Sequence, residues 1–412
     1  MKKAVFFAML IAISFCVTAQ SGDIVIGKID TLTSTVLNEQ RKIWVYVPES
    51  ADENLYAKEK YPVVYLLDGD AHFYPTVGMV HQLSTVNGNT VSPKMIVVGI
   101  PNTNRMRDLT PSKPKPGDDP LMPPAMVKYA GGGENFLKFI EKELIPYIDA
   151  NYPTEPFRMF IGHSLGGLMV MHTFLEKPEL FNAYVSIDPS MSWHKQQLLS
   201  AIKKADFGEG YDDKTLFMGF ANTLPEGMDT AMVKSQPSSP MTDHIRSIME
   251  LNAHMNKQNG SMNYQGKYYP DDDHGSVPFI AGYDALRFIF QNHRLTIGPS
   301  DVMNPNSDLS SKIKDHYQQL SEFYGYQKRP EESFLNTMGY QLMQMQMLDK
   351  SEDLFLLNTY FYPDRFNVYD SLGDLYVAKG DKEKAIESFE KALELNAEST
   401  LTKEKLTKLQ KD

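Results

Sequence analysis

The chain has 412 residues, 42% of them hydrophobic and 23% charged, and no low-complexity tract, so it folds and is long enough for two domains. A formal net charge of −11 gives a surface that repels nucleic acid. The single cysteine, Cys16, lies in a segment expected to be removed, which excludes disulfides, cysteine-bound metal and a cysteine nucleophile from the mature protein.

Residues 1–19 read as a secretory signal: Lys2 and Lys3 give the basic start, 4–17 the apolar stretch, and Val17-Thr18-Ala19 the small-residue cleavage site before Gln20. The apolar run is shorter than the roughly 20 residues of a membrane-spanning helix. Phe15 before Cys16 disfavours lipid attachment, so a secreted or periplasmic location is expected.

From about 42 to 293, short apolar runs alternate with amphipathic stretches, the pattern of a mainly parallel sheet with flanking helices. Strands are expected at 43–47, 61–67, 94–100, 157–161, 183–187, 215–220 and 264–269. Between them, Phe136, Phe139, Ile140, Leu144, Tyr147 and Ile148 give 134–150 a helical period. The proline-rich stretch 101–133, with Arg105, Arg107 and Asp108, ends in Gly131-Gly132-Gly133 and is expected to be a substrate lid or a surface excursion.

After 293 the strands give way to helix-forming sequence, with a boundary near 298–308. The expected domains are therefore 20–297 and an all-α tail at 309–412. Tyr369, Leu372, Gly373, Tyr376, Ala385, Phe389 and Ala392 stand at the spacing of a tetratricopeptide repeat. Shifting back about 34 residues recovers Leu335, Met338, Gly339, Leu342 and Phe355, so repeats are expected at about 332–365 and 366–399. Two units fall short of a free-standing array, and the tail is expected to pack on the first domain or to use a helix near 311–324 as an extra layer.

Gly162-His163-Ser164-Leu165-Gly166 is a G-x-S-x-G elbow set between an expected strand and an expected helix, which makes Ser164 the candidate nucleophile of an α/β-hydrolase fold. Serine needs a base, and His274 is the choice among the ten histidines because it follows the last strand and precedes a helix at 280–293. Glu226 is taken as the orienting acid, with Asp229 and Asp188 as alternatives, and Asp271, Asp272 and Asp273 as solvent-exposed neighbours. The amides of Leu165 and Gly69 are the expected oxyanion donors. Arg107 is the candidate contact for an anionic substrate group, and no metal or cofactor is required.

The sequence resembles the esterase family of α/β-hydrolases that includes enterobactin and bacillibactin esterases, feruloyl esterases and S-formylglutathione hydrolase. The shared residues are Tyr65-Leu66-Leu67-Asp68-Gly69, Phe136, Phe139-Ile140, Glu143-Leu144-Ile145-Pro146, Phe157-Arg158, Gly162 to Gly167, Pro189-Ser190 with Trp193, and His274-Gly275-Ser276-Val277-Pro278. Gly131-Gly132-Gly133 and the run from His274 resemble the siderophore-esterase branch most. Two positions depart from the pattern. Asp188 stands where relatives commonly have a small polar residue, and Asn222 falls where many carry the acid; some relatives work with a serine and histidine pair alone. The resemblance implies siderophore lactones or acylated carbohydrates as substrates. The rival readings are an acyltransferase or peptidase using the same residues, and a non-catalytic binding protein whose tail recruits a partner.

Overall fold

The computed structural model describes residues 22, 24–52, 54–117, 124–258 and 262–411; the expected signal segment lies outside them. Eight strands form one sheet: β1 (Lys28–Ser34), β2 (Glu39–Tyr46), β3 (Tyr61–Leu67), β4 (Ile96–Ile100), β5 (Thr154–His163), β6 (Ala183–Ile187), β7 (Thr215–Ala221) and β8 (Asn263–Tyr269). Their order is β1-β2-β4-β3-β5-β6-β7-β8, antiparallel at β1/β2 and β2/β4 and parallel across the rest. The chain leaves β3 toward β4 on one side and returns to β5 on the other, so the switch point of the topology lies at β3/β5, where ligand crevices open in such sheets.

Strands β3, β4, β6 and β7 are buried along their whole length because helices cover both faces. Chain order then gives α1 (Gly69–Ser84), the short α2 (Arg105–Asp108) and α3 (Pro124–Val127), α4 (Gly133–Phe139), α5 (Ile145–Asn151) and α6 (Leu165–Glu176). They are followed by α7 (Trp193–Ile202), α8 (Thr230–Ser235), α9 (Asp243–Met255) and α10 (Val277–Ile289). α1 and α10 pack on one face with Phe73, Val80, Ala281 and Leu286; α4 to α7 and α9 pack on the other with Phe139, Met169, Leu199 and Ile248. Five residues in a π-helical turn, Ile140–Leu144, join α4 to α5 just before Pro146, whose missing N–H cannot continue the α ladder.

Seven of the eight strands fall where the sequence pattern puts them; β1 does not announce itself. Its residues are polar and its burial alternates weakly. It is held by a seven-pair register with β2 and by Glu143, which accepts the Thr35 and Val36 amides in the turn between the two strands at 2.8 and 3.0 Å.

The tail comprises α11 (Pro299–Met303), α12 (Leu309–Tyr324), α13 (Glu332–Gln344), α14 (Leu348–Phe361), α15 (Phe366–Lys379), α16 (Lys382–Leu395) and α17 (Thr400–Lys411). Within each helix pair a glycine admits a phenylalanine ring. A Cβ on Gly339 would stand 2.6 Å from the Phe355 ring, and one on Gly373 would stand 2.5 Å from that of Phe389. α12 is the layer between the two parts: Tyr324 packs edge-on against Phe157 of β5 at 5.1 Å and stacks near Phe290. Beside it the buried Glu332 accepts the Ala57 amide at 2.8 Å and lies 3.4 Å from Arg365. The described residues contain no helix long and apolar enough to cross a membrane.

Candidate active site

β5 ends at His163 and α6 begins at Leu165, leaving Ser164 at φ 61°, ψ −117°, a conformation a side-chain-bearing residue holds only under constraint. The constraint is visible: the Ser164 amide donates to the Ile187 carbonyl at 2.9 Å, and its own carbonyl accepts from the Ser190 and Leu168 amides. A Cβ on Gly162 would fall 2.4 Å from the Gly166 backbone, so only glycine lets the strand turn so sharply into the helix. The Ser164 hydroxyl is half-buried and lies 3.3 Å from Ser190 Oγ; it is not hydrogen-bonded to His274 in this conformation.

Across the elbow, β6 delivers Asp188, a fully buried carboxylate at φ 40°. Its amide donates to Gly219 O at 2.7 Å and its Oδ1 accepts the Ala221 amide at 3.0 Å. Its Oδ2 accepts from His274 Nδ1 at 2.5 Å and from His244 Nε2 at 3.0 Å. Burial pushes the Asp188 carboxyl up, but the hydrogen bonds from His244 and His274 and the Ala221 amide outweigh it and hold the group well below the usual carboxylate range. Asp188 is therefore an anion at neutral pH. With Nδ1–H donated to it, His274 presents Nε2 as the free basic nitrogen.

His274 sits on a turn that is braced from two sides. Asp273 Oδ1 accepts the Gly275 and Ser276 amides at 2.9 Å, while Asn222 ties the turn to β7 by donating its amide to Asp272 O at 2.8 Å and its Nδ2–H to Pro270 O at 3.0 Å. The His274 ring lies 4.5 Å from that of His163, the residue before Ser164, and His163 in turn meets His72 of α1 edge-on at 5.6 Å. Burial, with the charges of His274 and His72, pushes His163 down to about 4, so it faces His274 as a neutral ring.

The two expected oxyanion amides, Leu165 and Gly69, are the first residues of α6 and α1, positions whose N–H has no intrahelical acceptor. They come from adjacent strand ends: a Cβ on Gly166 would stand 3.1 Å from Asp68 Oδ2, and one on Gly69 would strike Ile100 N at 2.6 Å. Arg105 fastens this corner, donating Nε–H and Nη2–H to the Asp68 carboxylate at 2.7 and 3.0 Å and reaching His163 O at 3.3 Å. A solvent-open, largely apolar cavity of about 290 Å³ between α1 and α10 runs up to His72, His163 and the Gly275–Ser276 turn.

Two expectations are corrected. The carboxylate on His274 is Asp188, not Glu226: Glu226 is exposed on the loop after β7 with no hydrogen bond among the described residues, and Asp229 is spent capping α8 through the Met232 amide. Arg107 does not face the site. Its guanidinium binds Glu39 at 2.9 and 2.7 Å and Asp108 at 2.7 Å, beside a buried Arg41–Asp108 pair, so it is part of the scaffold that pins α2 to β2. The stretch 101–133 is likewise anchored where described: the Gly132 and Gly133 amides donate to Arg107 O and Thr110 O, and Trp193 Nε1–H to Ser112 O.

His244 was invisible in the sequence, since a histidine on an amphipathic helix carries no motif. Together, Asp188, His244 and His274 place three donor atoms within 4.8 Å. Tetrahedral ligands at roughly 2.0 to 2.1 Å from a zinc ion stand about 3.3 Å apart, wider than the 2.5 and 3.0 Å seen here, so the spacing is that of hydrogen bonds.

The family model described as Putative esterase matches residues 34–281, and a tetratricopeptide-repeat model matches 366–399. The chain is 29% identical to the ferri-bacillibactin esterase BesA of Bacillus subtilis over 55% of its own length and 78% of that protein. It is 26% identical to the siderophore enterobactin esterase of Emericella nidulans over 53% and 79% of the two chains. Among solved structures, the IroE-like serine hydrolase of Shewanella oneidensis superposes with a TM-score of 0.65 at 30% identity, covering 81% of this chain and 99% of that one. With the elbow, the sheet order and these matches in agreement, the chain belongs to this esterase family: it is an α/β-hydrolase acting on carboxylic ester bonds, with a tetratricopeptide-repeat tail.

Proposed function

We propose that the esterase works as a serine hydrolase with Ser164 as nucleophile, His274 as general base and Asp188 as the carboxylate that orients it. The carrying observation is the buried Asp188–His274 hydrogen bond beside a strained elbow serine. In this mechanism the Ser164 side chain rotates about its Cα–Cβ bond, away from Ser190, to bring its hydroxyl to His274 Nε2. His274 takes the proton as the serine oxygen attacks the ester carbonyl, and the Leu165 and Gly69 amides receive the oxyanion. The imidazolium, facing Asp188, then protonates the departing alkoxide; water, deprotonated by His274, releases the acyl group and restores the serine.

The substrate class proposed is the siderophore lactone or ester, supported by the names of two curated relatives. Export is proposed from the N-terminal signal pattern, with a mature chain starting at Gln20.

Fluorophosphonate labelling followed by peptide mapping, with turnover of a catecholate trilactone, feruloylated sugars and p-nitrophenyl esters, tests this reading. Expected are a label on Ser164, its loss in Ser164→Ala, and the highest kcat/KM on the trilactone. An unlabelled Ser164 in folded protein overturns the nucleophile, and a preference for feruloylated sugars overturns the substrate class. N-terminal sequencing of exported protein tests the cleavage site.

A further inference from the structure

His244 lies on α9, outside the three residues of the proposed mechanism, yet its Nε2 reaches the same oxygen of Asp188 that meets His274. The two rings approach that oxygen nearly at right angles, with centroids 5.4 Å apart and planes at 85°. Their supports differ. His274 rides on a surface turn, whereas His244 is carried by a helix whose neighbouring Ile245 and Ile248 are fully buried in the fold. One imidazole is thus fixed by the core and the other is the partner in proton transfer.

We propose that His244 is a positioning residue for ester hydrolysis: by donating Nε2–H to Asp188 Oδ2 it fixes the rotation of that carboxylate and draws charge from the oxygen facing His274. The proposal rests on the serine-hydrolase reading above only for its catalytic consequence. The linkage between the two histidines through one oxygen follows from the geometry alone.

The direction of the effect is set by electrostatics. An oxygen that gives up one donated N–H holds more charge for the other donor, so the protonated form of His274 becomes more stable. Losing a ring that can itself be charged acts the same way. Among the described residues, the charged or titratable groups near the pair include His163 of β5, His72 of α1, Asp68 with its Arg105, and Asp272 and Asp273 of the His274 turn; on α9, Asp243 and Arg246 flank His244 in sequence but bond Ser238 and the Gln236 and Pro237 carbonyls. None of these is altered when His244 is replaced.

The test compares His244→Leu and His244→Gln with the unaltered full chain. Glutamine can place an amide N–H near the imidazole Nε2 position; leucine cannot. In His244→Leu the acid limb of kcat/KM is expected to move up by about half to one pH unit, with kcat lowered roughly 3- to 10-fold and KM within about twofold. His244→Gln is expected to recover most of both. NMR titration of the His274 ring in the resting protein gives the same midpoint shift without any turnover, and thermal unfolding checks that both variants fold. An unmoved His274 midpoint in His244→Leu, or a glutamine variant that behaves like leucine, overturns the proposal. A midpoint that rises in a protein that hydrolyses no ester upholds the histidine linkage and overturns the catalytic reading instead.

Discussion

At the scale of single residues the site is defined by charge placement. Asp188 is buried, ionised and shared between two imidazoles, so replacing it with asparagine removes the anion that stabilises the His274 imidazolium and allows the wrong tautomer. Asp188→Asn is expected to lower kcat by about 10²- to 10⁴-fold with a folded protein, whereas Glu226→Gln is expected to stay within about twofold. Steady-state kinetics on one p-nitrophenyl ester decides between the two carboxylates: comparable losses in both variants would refute the assignment. Arg107 belongs to the scaffold network with Glu39 and Asp108. Arg107→Ala is expected to lower stability by about 1 to 3 kcal/mol and to change kcat/KM for acidic and neutral esters by the same factor. A selective loss on acidic esters would return Arg107 to the substrate.

These residue-scale features were unequally legible. Ser164 and His274 could be put forward from the sequence because the elbow needs small residues at fixed offsets and a candidate base follows the last strand. The acid was not, because it can come from the end of either of two neighbouring strands, and only the hydrogen bond to His274 distinguishes them. Arg107 was misread for a related reason: an arginine in a long loop looks free until its partners, Glu39 and Asp108, are brought to it from elsewhere in the fold.

At the scale of elements, strands buried on both faces and helices with strong apolar stripes follow the sequence pattern closely, since burial itself selects the residues. β1 escapes because its stability comes from pairing with β2 and from Glu143 rather than from apolar content. The helix pairs of the tail carry their own signature in the spacing of Gly339 to Phe355 and Gly373 to Phe389, where ring and glycine interlock. Gly373→Val is expected to force the Phe389 ring out of place and to destabilise the tail by about 1 to 3 kcal/mol. Ester turnover well below the unfolding temperature is expected to be unchanged. Thermal unfolding together with the esterase assay checks this, and a variant as stable as the parent would show that the contact is slack.

At the scale of the whole molecule, the seam between the two parts runs through α12. At this seam His293, on the segment after α10, shares a hydrogen bond between its Nδ1 and the Tyr324 hydroxyl at 3.2 Å, while its carbonyl accepts from His316 Nε2 at 3.1 Å. Burial, reinforced by the nearby charges of Lys328 and His316, pushes its ring down to about 3. A histidine so depressed stays neutral in the folded chain while the unfolded chain takes up a proton near 6.5. The contribution of His293 to stability is therefore fully present above about pH 6.5 and is lost as pH falls toward 3, at no more than about 1.4 kcal/mol per pH unit. Chemical denaturation at stepped pH is expected to show this slope, and His293→Gln is expected to flatten part of it; an equal slope in both would remove His293 as the cause.

The sequence by itself determined seven of the eight strands, the elbow motif and the repeat character of the tail, and it offered Ser164, His274 and the Leu165 and Gly69 amides as candidates. Each of these depends on local spacing or on burial that the residue pattern records. Only the tertiary structure decided that Asp188 is the carboxylate on His274, that His244 shares its oxygen, that Arg107 is scaffold, and that α12 wedges aromatic rings between sheet and tail. Those outcomes depend on which distant segments meet, and a charged side chain's partner across 56 to 86 positions of chain leaves no periodic trace in the sequence.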